Sequence, residues 1–424
     1  MALATWLLGR RHGARVVLRL DDGDGARATG ERIEALEHDL GWLGLNWDDR
    51  FQQSQRLALY EAAAERLKAA GRLYPCFEGE EELTAKREHR QRLGKALIYD
   101  RAMLRMTAAQ RAQAEAGGKR PYWRFLLQGP QAEWGDMVLG RSSVKLGAVS
   151  DPVLIRADGS FHTSFTSVVD DLEMGVTHVV RGEDHMTHTG IQLEVMAALG
   201  GRAGTIRFAH LPLMTDTAGQ KLTKRTGLVT LRSLRGDGIE AASLAGMLAA
   251  LGTDRVAAPT PPAVLAEDYD LARVGRTPPR FDPKALLALN RRALAATPFE
   301  AARERLPPAA TPAFWTAIRG DIDLLREARG WWDVVAGSIV PPLIEEEADF
   351  LHAALEHLPP EPWDEGTWEA WTGGIRLATG REGETLLLPL RLALTGEDHG
   401  PDLRDLLPLM GRARVAERLK GAAS

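Results

Sequence analysis

Cysteine is nearly absent: Cys76 is the only one in 424 residues. That excludes an intramolecular disulfide and a zinc site built from several cysteines. A cytoplasmic setting is the expectation. Long apolar runs are missing too; no stretch of about 20 apolar residues is present to span a bilayer. The apolar start, Met1 to Leu8, is too short for a signal peptide and has no basic residues ahead of it. Phosphate-loop signatures are lacking: there is no G-x-x-x-x-G-K-S/T. Gly23 and Gly25 are followed by Ala28 where a dinucleotide loop needs its third glycine. Kinase, GTPase and dehydrogenase readings lose support. A calcium loop at Asp22-Gly-Asp24-Gly is excluded as well, because Ala26 and Ile33 stand where oxygen ligands are required.

What is present is an ordinary globular composition, 44 % hydrophobic and 26 % charged. The length suggests about three domains at roughly 150 residues each. The net charge of −5 hides an uneven distribution. Residues 81–130 carry 11 Lys/Arg against 5 Asp/Glu, and residues 201–236 carry 7 against 1. Residues 331–374 carry 10 acids and no Lys/Arg. Basic zones are the footprint of a polyanionic partner, although a solvated helical face gives the same pattern.

Helical spacing of Leu3, Trp6 and Leu7 predicts a helix over 2–11, stopped by Gly13. Ala14 to Leu20 reads as a buried strand. Helices follow at about 30–43 and 57–70. Residues 73–150 mix short helices with strand-like pieces such as Tyr122 to Leu127. Val153 to Ile155, Ser167 to Val169 and Thr177 to Val180 read as buried strands, and a helix covers about 187–199. From Gly238 onward the chain reads as helical, with helices at 241–251, 283–289 and 291–296. Pro-rich joints lie at 259–262, 278–279 and 307–308. An α/β core interrupted by an insertion and followed by helices is the expected order.

Two local groups carry chemistry. Lys221-Leu-Thr-Lys224-Arg225 lies between Gly219 and Gly227, a Gly-hinged cationic loop suited to phosphates. The bland alternative is a solvated loop. Arg181 ends a predicted strand, where open α/β sheets bind ligands. It is either a bidentate clamp for a carboxylate or phosphate, or a rim ion pair with Asp170, Asp171, Glu183 or Asp184. His185 and His188 share a helical face; without cysteines or an H-E-x-x-H pattern they read as a polar cleft lining rather than metal ligands.

Seven motifs occur in a telling order: L-R-L-D-D-G-D (18–24), D-L-G-W-L-G-L-N-W-D (39–48), S-Q-R (54–56), R-L-Y-P-C (72–76), V-V-D-D-L-E-M-G-V-T-H-V-V-R-G-E-D-H (168–185), H-L-P-L-M (210–214) and K-L-T-K-R (221–225). The chain resembles the bacterial-type glutamyl-tRNA synthetases of class I. The central block is specific; beyond about 310 the likeness is one of helical texture and size.

That resemblance implies a Rossmann-like α/β catalytic core (1–72 and 151–236) with an inserted α/β tRNA acceptor-binding domain (73–150). All-α parts follow: a stem-contact domain (237–309) and an anticodon-binding domain (310–424). It implies ATP-dependent ligation of glutamate to tRNA through glutamyl-adenylate, with ATP and Mg2+ as the substrate complex and a monomeric enzyme. Lys221, Thr223, Lys224 and Arg225 match the catalytic signature loop, with Lys224 on the ATP phosphates and Thr223 in place of the usual Ser. Arg181 matches the arginine for the glutamate side-chain carboxylate, and Asp21 replaces a common Glu facing the amino group. Thr163 stands where the family has a pocket Tyr, and Ser167 matches another pocket position. Glu183, Asp184 and Met214 match the adenosine and ribose pocket. The zinc-binding cysteines of some members are missing, so no zinc is expected. The His-Ile-Gly-His-like signature is missing too, and Met1 falls inside the helix that should follow it. The resemblance thus implies a start in mid-domain and a central sheet short of one strand. The alternatives are a catalytically incomplete tRNA-binding paralogue, an enzyme that glutamylates a modified tRNA base, and an unrelated nucleotidyl transferase. The tRNA charged is that for glutamate or that for glutamine.

Overall fold

The computed structural model describes residues 1–23, 29–202, 204–220, 222, 230–340, 342–364 and 366–423. They form two compact units. The first comprises Met1–Thr226, Leu248–Val256 and Pro262–Phe281; the second comprises Gly227–Met247, Ala257–Pro261 and Asp282–Ser424.

The first unit alternates helix and strand. Helix α1 (Ala2–Arg11), strand β1 (Val17–Leu20), α2 (Gly30–Trp42), β2 (Asp49–Gln52) and α3 (Leu57–Ala69) come first. Next are β3 (Leu73–Cys76), α4 (Glu80–Arg92), α5 (Ala108–Ala116), β4 (Tyr122–Phe125), β5 (Ala132–Asp136), β6 (Gly140–Val144) and β7 (Val153–Ile155). The series ends with α6 (Thr163–Glu173), β8 (His178–Gly182), α7 (Met186–Ala198) and β9 (Arg207–Leu211).

Three sheets result. β1 and β2 pair in parallel, β3-β4-β7 form a second sheet, and β6-β5-β9-β8 form a third in which β8 and β9 are parallel. The β5–β6 hairpin joins β9 through Asp136 opposite Phe208. β1 and β8 belong to different sheets, and a cavity of about 1040 Å³ is lined from both: by Ala14 to Val17 on one side and by Thr177, His178 and Val180 on the other.

Two strand expectations change. Ser167 to Val169 lies within α6, because Phe165, Val168, Val169 and Leu172 follow helical spacing and the first three are buried. The buried strand expected over 14–20 shrinks to Val17–Leu20, where Leu20 alone is fully buried.

The motifs bind each other. Trp6 donates its indole N–H to Asn46 O at 2.8 Å, and Arg10 pairs with Asp48 at 2.9 Å. Asp22 accepts from Ser54 N at 2.8 Å and from Ser54 Oγ at 2.6 Å. Buried Asp170 accepts from Gln53 Nε2, Arg56 Nε and Tyr60 Oη at 2.8–2.9 Å. The core gathers Tyr60, Leu67, Phe125, Leu154, Phe165, Val168, Val195 and Phe208.

Among the described residues of the second unit, the regular elements are all helices. The two helices expected over 283–296 are one, Pro283–Ala296. Asn290 does not break it: the side chain is fully buried and serves backbone outside the helix. It donates to Gly238 O (3.2 Å) and Asp323 O (2.7 Å) and accepts from Glu240 N (2.7 Å). The core holds Phe314, Trp315, Trp371, Ile375, Leu390, Leu394, Leu406 and Leu419. The indoles of Trp315 and Trp371 are satisfied at 2.8 Å, by Thr297 O and by Ala354 O.

Candidate active site

The carboxyl ends of β1 and β8 and the amino end of α6 bring polar side chains together. This is where an open parallel sheet leaves a crevice for ligands. Asp21 follows β1 directly, and Arg181 is the fourth residue of β8. His162 caps α6, its Nδ1 accepting from Ser164 N at 3.2 Å. Thr163 begins that helix and is exposed; half-buried Ser167 lies one turn later on the same face.

Arg181 is half-buried and held by neutral partners. Its Nη1 donates to Gln192 Oε1 at 2.8 Å and its Nη2 to Thr189 Oγ1 at 2.5 Å. The Phe208 ring lies 5.1 Å from its Cζ. Its Nε is buried with no hydrogen-bond partner. Burial lowers its pKa to about 10, against the pull of Asp171 and Asp136. The rim ion-pair alternative is not what forms. Asp171 pairs with Arg19 at 2.6 Å, Asp170 with Arg56 at 2.8 Å, and Glu183 accepts from Leu213 N at 3.3 Å.

Two imidazoles at the site, His162 and His188, are weakened as bases. Burial, Arg156 and His188 lower the pKa of His162, with Asp21 opposing. Burial, His185 and Arg181 lower that of His188, with Asp184 opposing. His162 thus feels Asp21 and His188, and His188 feels His185, Arg181 and Asp184. The rings of His185 and His188 lie 5.4 Å apart. Among the described residues no three His, Cys, Asp or Glu side chains are grouped to hold a metal.

Glu183 and Asp184 sit in the short turn Glu183–His185 just after β8. A Cβ on Gly182 would lie 2.4 Å from Asp184 Oδ1 and 3.1 Å from Leu213 Cδ2, so the exposed Asp184 carboxylate would have to turn away. Met214 is exposed three residues after β9. Lys221, Thr223, Lys224 and Arg225 lie outside the described residues.

Residues 1–258 match the family described as tRNA synthetases class I (E and Q), catalytic domain. This chain belongs to that family. Residues 342–423 match a second family, the anticodon binding domain. The chain is 56 % identical over 422 residues to glutamate–tRNA ligase 2 of Gluconacetobacter diazotrophicus, covering 100 % of this chain and 95 % of the relative. It is 57 % identical over 423 residues to glutamate–tRNA ligase 2 of Acidiphilium cryptum, with the same coverage. Among solved structures, a glutamate tRNA ligase from Elizabethkingia meningosepticum in complex with its amino acid is similar, with a TM-score of 0.83. That similarity spans 100 % of this chain and 95 % of the other at 21 % identity, which speaks for the fold.

A class I synthetase consumes ATP, and its site must hold a nucleotide beside an amino acid. Reading the sequence missed His162, Thr189 and Gln192 of the neighbourhood that this synthetase builds around Arg181. Thr189 and Gln192 were legible in principle: they are three apart on α7, so they share the face nearest β8. His162 gave no signal beyond preceding the Thr-Ser start of a helix.

Proposed function

We propose that the neighbourhood around Arg181 is the glutamate pocket of a tRNA-charging ligase. The glutamate α-carboxylate attacks the α-phosphate of ATP and pyrophosphate leaves. The terminal ribose hydroxyl of tRNA then takes the acyl group from glutamyl-adenylate, and AMP leaves. Arg181 carries this reading. It is a half-buried cation with two neutral partners and an unsatisfied Nε, and among the described residues no carboxylate bonds to it. A site of this kind accepts an anionic side chain and penalises a neutral one.

In this reading Asp21 faces the substrate ammonium, and Thr163 and Ser167 line the pocket. Glu183, Asp184 and Met214 line the adenosine pocket. Lys221, Thr223, Lys224 and Arg225 act on the phosphates, where Mg2+ arrives bound to ATP. No zinc is needed. Residues 73–150, inserted between the core segments 1–72 and 151–236, meet the tRNA acceptor end with their basic zone. Residues 237–309 meet the stem, and 310–424 take the anticodon. The enzyme works as a cytoplasmic monomer on glutamate tRNA or glutamine tRNA. The 342–423 match weighs against glutamylation of a modified base by an enzyme without an anticodon domain.

ATP–pyrophosphate exchange with glutamate, run with tRNA present, tests the reading. Exchange by this 424-residue chain supports it; tRNA binding without exchange favours the binding-only paralogue. The split between β1 and β8 is the observation that keeps the second reading in play. Charging of separately purified glutamate and glutamine tRNAs then identifies the acceptor.

A further inference from the structure

Behind Arg181 runs a buried polar chain for which the proposed chemistry has no direct use. Arg181 on β8 stands in register with His210 on β9. Thr189 Oγ1 lies 2.8 Å from His210 Nε2, and His210 Nδ1 lies 2.5 Å from Asp136 Oδ2. The side chains of His210 and Asp136 are wholly buried. We infer that Thr189, His210 and Asp136 are positioning residues that fix the guanidinium of Arg181 for a substrate carboxylate. This rests on the reading of Arg181 as the carboxylate clamp.

The donors and acceptors set the direction of the chain. Asp136 is itself fixed: its Oδ1 accepts from the backbone N–H of Val138, Leu139 and His210 at 3.0–3.1 Å. Burial raises its pKa, but the His210 ring and these backbone donors outweigh that and hold the carboxyl well below the usual range. An ionised Asp136 only accepts, so His210 Nδ1 donates to it. The Thr189 hydroxyl sits between His210 Nε2 at 2.8 Å and the His185 carbonyl oxygen, to which it donates at 3.1 Å. The Thr189 oxygen is left to accept from Arg181 Nη2. Gln192 fixes the other arm: its Oε1 takes Nη1, while its Nε2 donates to Ser164 O at 3.4 Å. The Phe208 ring supports the guanidinium plane. Two Nη arms are thus tied by neutral acceptors. Each Nη keeps a second N–H for a ligand. A carboxylate partner in place of Thr189 would neutralise the clamp; a hydroxyl backed by His210 and Asp136 orients it and leaves its charge for the ligand.

The test is the exchange reaction with three proteins: wild type, Thr189→Val and Thr189→Ser. Thr189→Val keeps the shape and removes the hydrogen bonds. The glutamate KM should rise about tenfold or more while the ATP KM stays within about twofold. Thr189→Ser, which restores the hydroxyl, should recover most of the loss. If Thr189→Val fails to fold, His210→Gln takes its place under the same criterion. Normal wild-type exchange with an unchanged glutamate KM in the variant, or with glutamate and ATP KM rising together, overturns the positioning role. A wild-type chain that shows no exchange overturns the activity reading instead, and the role with it.

Discussion

Arg181, Asp170 and Cys76 respond to burial in three ways. Arg181 is left with an unsatisfied Nε, so its removal should be felt in binding. Arg181→Ala should raise the glutamate KM by a factor equivalent to about 2–5 kcal/mol. Arg181→Lys should recover only a fraction, because an ammonium keeps the charge and loses the fork. Steady-state exchange kinetics check both, and an unchanged KM and kcat would reject the assignment. Asp170 instead satisfies Gln53, Arg56 and Tyr60 from a wholly buried carboxylate. Asp170→Ala strands the Arg56 cation and should cost about 3–5 kcal/mol, read as a lower urea midpoint at constant m. Cys76 is buried, and its thiol is pushed up to about 11 by burial. Iodoacetamide at pH 7.5 should leave it unmodified in the folded chain and alkylate it in urea. At this scale the sequence was informative where a residue's chemistry is unusual for its place, as for Arg181 ending a strand. It was silent where meaning comes from a distant partner. Nothing near His210 in the chain announces Asp136.

Elements were legible when long and strongly patterned. α1, α2, α3 and α7 fall within a residue or so of their expected ends. α6 was partly misread because Val168-Val169 looks like a strand in a short window. The helical period appears only when Phe165 and Leu172 are included. The hairpin β5–β6 offered no strong alternation, and its place beside β9 depends on Asp136, whose carboxylate caps the following turn. That carboxylate gives a pH signature. Its pKa is depressed in the folded chain, so its stabilisation is present above the unfolded value of about 3.9 and lost as pH falls toward the folded value. Wild type should therefore lose more stability between pH 5 and pH 3 than Asp136→Asn. Parallel curves in pH-dependent melts would contradict this. In the second unit, Asn290→Ala should cost about 3 kcal/mol, since it leaves the backbone of Gly238, Glu240 and Asp323 unpaired. Chemical denaturation measures it.

On the scale of the whole molecule, order along the chain was easier to read than pairing in space. The alternation of helix and strand before about residue 237 and the helical remainder agree with the sequence pattern. Strand order did not follow from that pattern, because β5 and β6 lie far from β9 in sequence and join it through a single register point. The 81–130 charge excess was legible as a basic zone, and what it faces was not. The division between β1 and β8 reaches beyond catalysis. A parallel strand bonds alternate amides to each neighbour, and among the described residues each of these two strands has a neighbour on one side only. In β8, His178 and Val180 line the cavity. In hydrogen–deuterium exchange, amides on the cavity side of β8 should exchange faster than those it shares with β9, within the same five residues. Such alternation would mark that line as a place where water reaches the parallel sheet.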